Sequence, residues 1–133
     1  MNIIDQIIEL KKMYNLLEDD FNLEKAYKWY AYCLDNDLIE LDMDGDKLTG
    51  FLVHVGVKDV PTSLKDIALD YEHIKDGKKI LVSEVVVYKD NIRKLTRSAI
   101  NKHLDADIYV WHSKKHDRFV YHNNKRREYA LSV

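Results

Sequence analysis

Residues 79–112 read KILVSEVVVYKDNIRKLTRSAINKHLDADIYVWH, and this stretch decides the fold. Its first part, Ile80-Leu81-Val82-Ser83-Glu84-Val85-Val86-Val87-Tyr88, is rich in β-branched residues and long enough for a central strand. A basic segment at 91–104 follows and predicts a helix. Ile108-Tyr109-Val110-Trp111 is a second short apolar run and predicts the next strand. A strand–helix–strand unit can carry a ligand at its first turn, because the opening N–H groups of the helix face anions there.

Working outward, the 133 residues predict one domain, 1–133, with chain enough to bury a core. Apolar residues make up 46% and charged residues 33%, which excludes a disordered, collagenous or coiled-coil chain. No apolar run approaches membrane-spanning length, so no membrane partner is expected. The start, Met1-Asn2-Ile3-Ile4-Asp5, lacks the basic region and cleavage site of a signal peptide. Cys33 is the one cysteine, which fits a reducing compartment, and a cytoplasmic protein is expected. Charge is unevenly spread. Residues 1–46 hold 4 Lys/Arg against 12 Asp/Glu, whereas 89–127 hold 11 against 4. The basic third either meets an anionic ligand or balances the acidic half of the same molecule.

Toward the N-terminus, Ile4, Ile7, Ile8, Leu10 or Lys11, Tyr14 and Leu17 fall near helical spacing, and the acidic run 18–20 marks a stop. Asn22 is placed to cap a second, aromatic helix through about Leu34. Residues 38–43 alternate as a strand, Asp44-Gly45 signals a hairpin turn, and 47–57 return. Gly50 and Gly56 mark a bulge or a close backbone approach there. Ser63 opens a short helix with Leu64, Ile67, Ala68 and Tyr71 on its buried side. Beyond the central unit, 113–124 is predicted helical and 128–133 a closing strand. The expected order is ααββαβαβαβ: an α/β fold with a mixed central sheet of about six strands flanked by helices.

Several chemistries are excluded by spacing. In Asp42-Met43-Asp44-Gly45-Asp46 the glycine and the residue at position twelve, Val53, do not fit a calcium loop. His112 and His116 are four apart, but Ser113 stands where a metalloprotease glutamate would be, and His112 falls at a strand end, so no metal is expected. Cys33, inside an aromatic helix, reads as an inert thiol. None of the four glycines lies beyond Gly77, so the basic half holds no glycine-rich phosphate cradle.

The element order, together with Asp44-Gly45-Asp46-Lys47-Leu48-Thr49-Gly50-Phe51, resembles the GNAT family of N-acetyltransferases, whose hairpin carries an acidic, glycine, leucine, x, glycine, aromatic segment. Asp117-Arg118-Phe119-Val120-Tyr121 is similar to that family's late helix. Trp111-His112-Ser113-Lys114 resembles a segment of small phage-encoded proteins of this shape. The resemblance implies a GNAT-like fold and acetyl-CoA as cofactor, with the turn after the central strand as its seat. The implied cofactor residues are Tyr88, Lys89, Asn91, Arg93 and Lys94. Glu84 takes the place of the general base and Tyr121 that of the tyrosine that protonates the leaving thiolate. One departure is plain: the family's turn carries Arg/Gln-x-x-Gly-x-Gly/Ala, and here it reads Tyr88-Lys89-Asp90-Asn91-Ile92-Arg93-Lys94, without glycine. Side chains there crowd the backbone approach that a pyrophosphate needs.

Three functions are therefore expected in competition. One is acyl transfer from a coenzyme A thioester to the amine of a small molecule or protein. The second is a non-catalytic GNAT-fold protein that binds a protein partner, as a phage-encoded member would. The third is nucleic-acid binding through Arg93, Lys94, Arg97, Lys102 and the cluster Lys125-Arg126-Arg127, which the acidic N-terminal half opposes.

Overall fold

The computed structural model describes residues 2–17, 19–58, 78–87, 91–104, 106, 108–113 and 118–123, with side chains described up to residue 106. These form α1 (Ile3–Met13), α2 (Leu23–Asp35), β1 (Ile39–Asp44), β2 (Lys47–Val57), β3 (Lys79–Val86), α3 (Ile92–Lys102), β4 (Ile108–Ser113) and β5 (Arg118–Asn123). No described helix is long and apolar enough to cross a membrane.

Asparagine side chains start the first two helices. Asn2 Oδ1 accepts from the Asp5 N–H at 2.8 Å, and Asn22 Oδ1 accepts from the Lys25 N–H at 3.0 Å. Asn22→Ala orphans one of α2's first N–H groups, and urea unfolding is expected to show a loss of about 1 kcal/mol. Both helices also end alike. Asn15 and Asp37 take left-handed backbone angles, φ 55° and 57°. Beyond them the Leu16 N–H donates to Lys11 O and the Leu38 N–H to Cys33 O, each at 2.8 Å. These are Schellman motifs built on Asn and Asp instead of glycine. The first helix thus stops at Met13, short of the acidic run at 18–20, because backbone geometry at Asn15 turns the chain before charge can act.

The strands form one sheet in the order β1-β2-β3-β4-β5. Neighbours are antiparallel except β3 and β4, which are parallel. The expected mixed sheet is therefore present. Asp44 pairs with Lys47, so the hairpin turn is Gly45-Asp46, one residue later than the Asp-Gly signal implies. Gly45 has φ 60°, which a side chain would strain.

Residues 50–57 of β2 are buried on both faces, which is why they read as a nearly continuous apolar run. Alternation sends Phe51, Val53 and Val55 into one core with Ile7, Ala26, Tyr30 and Leu81, beneath α1 and α2. Leu52 faces the other way and packs with Leu95 and Ala99 of α3. Helices therefore flank the sheet on both faces. The α3 face of β1 is acidic, and α3 answers it: Asn91 and Lys94 meet Asp42, and Lys102 meets Glu40 and Asp37. Part of the basic third thus balances the acidic half within the molecule.

One expected element differs. Residues 118–123, predicted within a helix, form β5, antiparallel to β4 with Tyr121 opposite Val110. Phe119-Val120-Tyr121 has strand propensity, and pairing here satisfies the backbone groups along the far side of β4. The predicted helix opened by Ser63 and the predicted strand at 128–133 lie outside the described residues.

Candidate functional site

The chemistry-bearing region is the junction of β3, α3 and β4. Parallel pairing runs from Lys79–Ile108 to Val82–Trp111 and stops. Yet β3 continues through Val86 and β4 through Ser113. The strands part after Val82. The cause lies in β3 itself. Its register against β2 shifts between Val53–Glu84 and His54–Val82, so Ser83 is an extra, bulged residue. A bulge bends its strand and ends regular pairing. The Ser83 hydroxyl is shut off from water and has no hydrogen-bond partner among the described residues. Such a group is costly unless something else satisfies it.

Glu84 follows the bulge and faces α1 and α2. Tyr30 Oη donates to its carboxylate, 2.9 Å from Oε1 and 2.8 Å from Oε2. Lys11 Nζ lies 2.9 Å from Oε2 and also donates to Tyr30 Oη at 3.3 Å. Lys11 is only 4% exposed and Tyr30 is fully buried. A buried ammonium this close to a carboxylate is tolerable because each neutralises the other. The candidate general base is therefore held in an ion pair. Behind it, burial and then the Glu84 charge push the Cys33 thiol up to about 12. A thiol so reluctant to ionise is inert, as expected from the sequence.

Of the candidate cofactor residues, Asn91, Arg93 and Lys94 sit at the start of α3, on the opposite side of the sheet from Glu84. Asn91 is the N-cap, but its side chain makes no capping bond to the helix. It donates instead to Asp42 Oδ2 at 2.7 Å. Lys94 Nζ lies 3.8 Å from Asp42 Oδ1 and is largely exposed, so that pair adds little. Arg93 is exposed. Arg93, Lys94, Arg97, Ser98 and Asn101 line a shallow, open depression of about 450 Å³ along α3. Tyr88 and Lys89 lie outside the described residues. Tyr121 lies on β5 instead of a helix. His112 lies on β4, so a helical i, i+4 placement of the histidines does not begin there.

No family model matches this sequence, and no curated protein matches it. Among solved structures, the chain is similar to the crystal structure of a "putative acetyltransferase" from Staphylococcus aureus Mu50. Identity is 17%, over 82% of this chain and 70% of that one, with a TM-score of 0.47.

Sequence reasoning passed over four groups that the fold makes important. Lys11 was visible only as an interruption in an apolar stripe, and Tyr30 as one aromatic among several. Asp42 was read as strand alternation. His54 stands in the otherwise apolar, buried stretch 50–57 of β2, which is the one local signal that it has dedicated partners. Those partners are Glu40 on β1 and His103 at the end of α3. Burial raises the Glu40 carboxyl, but hydrogen bonds from His54, Lys102 and Ser98, with the Lys102 charge, outweigh it and hold it at about 2 instead of 4.5. The folded value lies below the ordinary one. The stabilisation is therefore present above about 4.5 and is lost as pH falls through about 2.

Proposed function

We propose that the chain is a GNAT-like acyltransferase-type protein that binds a coenzyme A thioester in the gap between β3 and β4, with an amine as acyl acceptor. The observation that carries this reading is the parting of two parallel strands at Ser83, on the strand that precedes α3 in the chain. Ligands of open α/β sheets bind beyond the carboxyl ends of parallel strands. Ser83 offers the coenzyme a hydroxyl without a partner among the described residues. Arg93 and Lys94 are the groups that would take its phosphates. They would do so by charge, because the turn has no glycine and the Asn91 amide is already given to Asp42. Acyl transfer needs a proton taken from the attacking amine and one delivered to the departing sulfur. Glu84 and Tyr121 are the residues assigned to these tasks. Glu84 must first exchange its bond to Lys11 or Tyr30 for one to the amine or a water.

Calorimetry with acetyl-CoA tests this. Saturable binding is expected, weakened about tenfold or more by Arg93→Ala/Lys94→Ala. An absence of heat at about millimolar ligand would overturn the reading. A second reading is a non-catalytic protein of the same fold that works through a protein partner. Its support is the ion-paired state of Glu84 and the carboxylate of Asp42 bonded to the N-cap of α3. Binding of acetyl-CoA without turnover of any amine, together with a specific partner in a pull-down, would favour it.

A further inference from the structure

Helix α3 packs on the sheet through Leu95 and Ala99, and it carries two polar rows, each at a spacing of four residues. The first row, Lys94, Ser98 and Lys102, is engaged with acidic residues. Lys94 Nζ lies 3.8 Å from Asp42 Oδ1. The Ser98 hydroxyl is hydrogen-bonded to Glu40. Lys102 Nζ reaches Glu40 Oε2 at 2.7 Å and Asp37 Oδ1 at 2.5 Å. This row ties the helix to β1 and the turn before it, and its two positive charges meet three carboxylates.

The second row is Arg93, Arg97 and Asn101. It falls on the side of the helix away from Leu95 and Ala99, as a turn of 3.6 residues requires. All three side chains are exposed. None has a hydrogen-bond or ion-pair partner among the described residues. With Lys94 and Ser98 they line the depression of about 450 Å³, a volume within the range of about 300–1,000 Å³ for small-molecule sites. Among the described residues no acidic side chain lines it. The uncompensated positive charge of α3 therefore belongs to two guanidinium groups, one helical turn apart.

We infer that Arg97, with Asn101 beside it, forms a phosphate-monoester subsite that takes the 3′-phosphate on the ribose of the coenzyme. This rests on the function proposed above, which places the diphosphate on Arg93 and Lys94 and gives Arg97 and Asn101 no role. Coenzyme A carries phosphate in two places, a diphosphate on the ribose 5′ oxygen and a monoester on the 3′ oxygen. The rise from Arg93 to Arg97 is about 6 Å, a step that one ribose spans. A monoester carries close to two negative charges at neutral pH, and the planar fork of an arginine meets two of its oxygens at once. The Asn101 amide adds a donor one turn further on. Lys94 is the poorer seat for this group, because Asp42 stands beside its ammonium. Attraction at the monoester thus supplies binding that the turn without glycine cannot supply at the diphosphate.

Calorimetry of the full chain with acetyl-CoA and with its 3′-dephospho analogue is the test. The parent is expected to bind acetyl-CoA about tenfold more tightly than the dephospho form. Arg97→Ala should abolish this preference. It should weaken acetyl-CoA binding about tenfold and leave the dephospho form within about twofold of its affinity for the parent. Equal affinity of the parent for the two ligands overturns the subsite and leaves the function above standing. So does an equal loss for both ligands in R97A, which would put Arg97 on the diphosphate. Binding of neither ligand overturns the function above and the subsite together. Arg97 is exposed and bonded to no described residue, so R97A is expected to fold. Should it not, the parent's two affinities decide.

Discussion

Lys11→Met lowers the free energy of unfolding by about 3 kcal/mol, the expected cost of leaving a part-buried carboxylate, 14% exposed, without its cation. The methionine fills the path of the lysine stem through the α1 core, so lost packing is a minor part of the effect. What remains is Glu84 with only Tyr30 Oη to hold its charge. The matching double variant Lys11→Met/Glu84→Leu removes both charges and should recover most of the loss, because the ion pair repays its own desolvation only approximately. Urea unfolding of the parent, the two single variants and the double variant closes the cycle. A loss below about 1 kcal/mol for Lys11→Met would show that Glu84 finds water once freed. The carboxylate would then be reachable through the gap beside Ser83, which is the property that a general base requires. The same measurement therefore bears on stability and on the chemistry proposed for this site.

Gly50→Ala is expected to cost about 3 kcal/mol, at the upper end for inserting one methyl into a packed site. A Cβ at Gly50 would stand 2.8 Å from Val86 O and 2.9 Å from Val87 Cα, both backbone atoms. No rotamer change relieves such a contact, so β2 and β3 must separate. Gly45→Ala is the informative contrast. Nothing lies within 4 Å of its Cβ, yet φ is +60°, so only backbone strain of about 1–2 kcal/mol is expected. Thermal unfolding of the two variants should rank Gly50→Ala well below Gly45→Ala. The reverse order would mean that the approach of β3 to Gly50 is looser than the geometry shows.

Much of the frame was legible because it is local. The β-branched run at 80–88, the Asn22 cap, the alternation at 38–43 and the turn glycine each specify structure within a few residues. The misreadings have different causes. Asn15 and Asp37 end helices by adopting a conformation usually left to glycine, and nothing in their neighbours announces it. Residues 118–123 fit a strand or a helix equally by propensity, and β4 settles the matter by offering an edge. The polar clusters were beyond reach because their members are far apart in sequence. Tyr30 and Glu84 are separated by 54 residues, and His54 and His103 by 49. Of the candidate site, the strand and the helix that carry Glu84, Arg93 and Lys94 were readable. What occupies Glu84 and Asn91 was not, since Lys11 and Asp42 reach them only through the folded sheet.

The single extra residue in β3 also sets a parity. Ile80 and Val82 face α3, and strict alternation would send residue 84 to the same side. Ser83 breaks the count, so Glu84 emerges beneath α1 and α2, where Lys11 and Tyr30 wait for it. Deleting Ser83 would straighten the strand and leave Glu84 directly after Val82, still opposite Val53. If Ser83 instead took a regular place opposite Val53, Glu84 would fall opposite Leu52 and enter the α3 layer. The bulge at Ser83 decides which half of the molecule receives the charge.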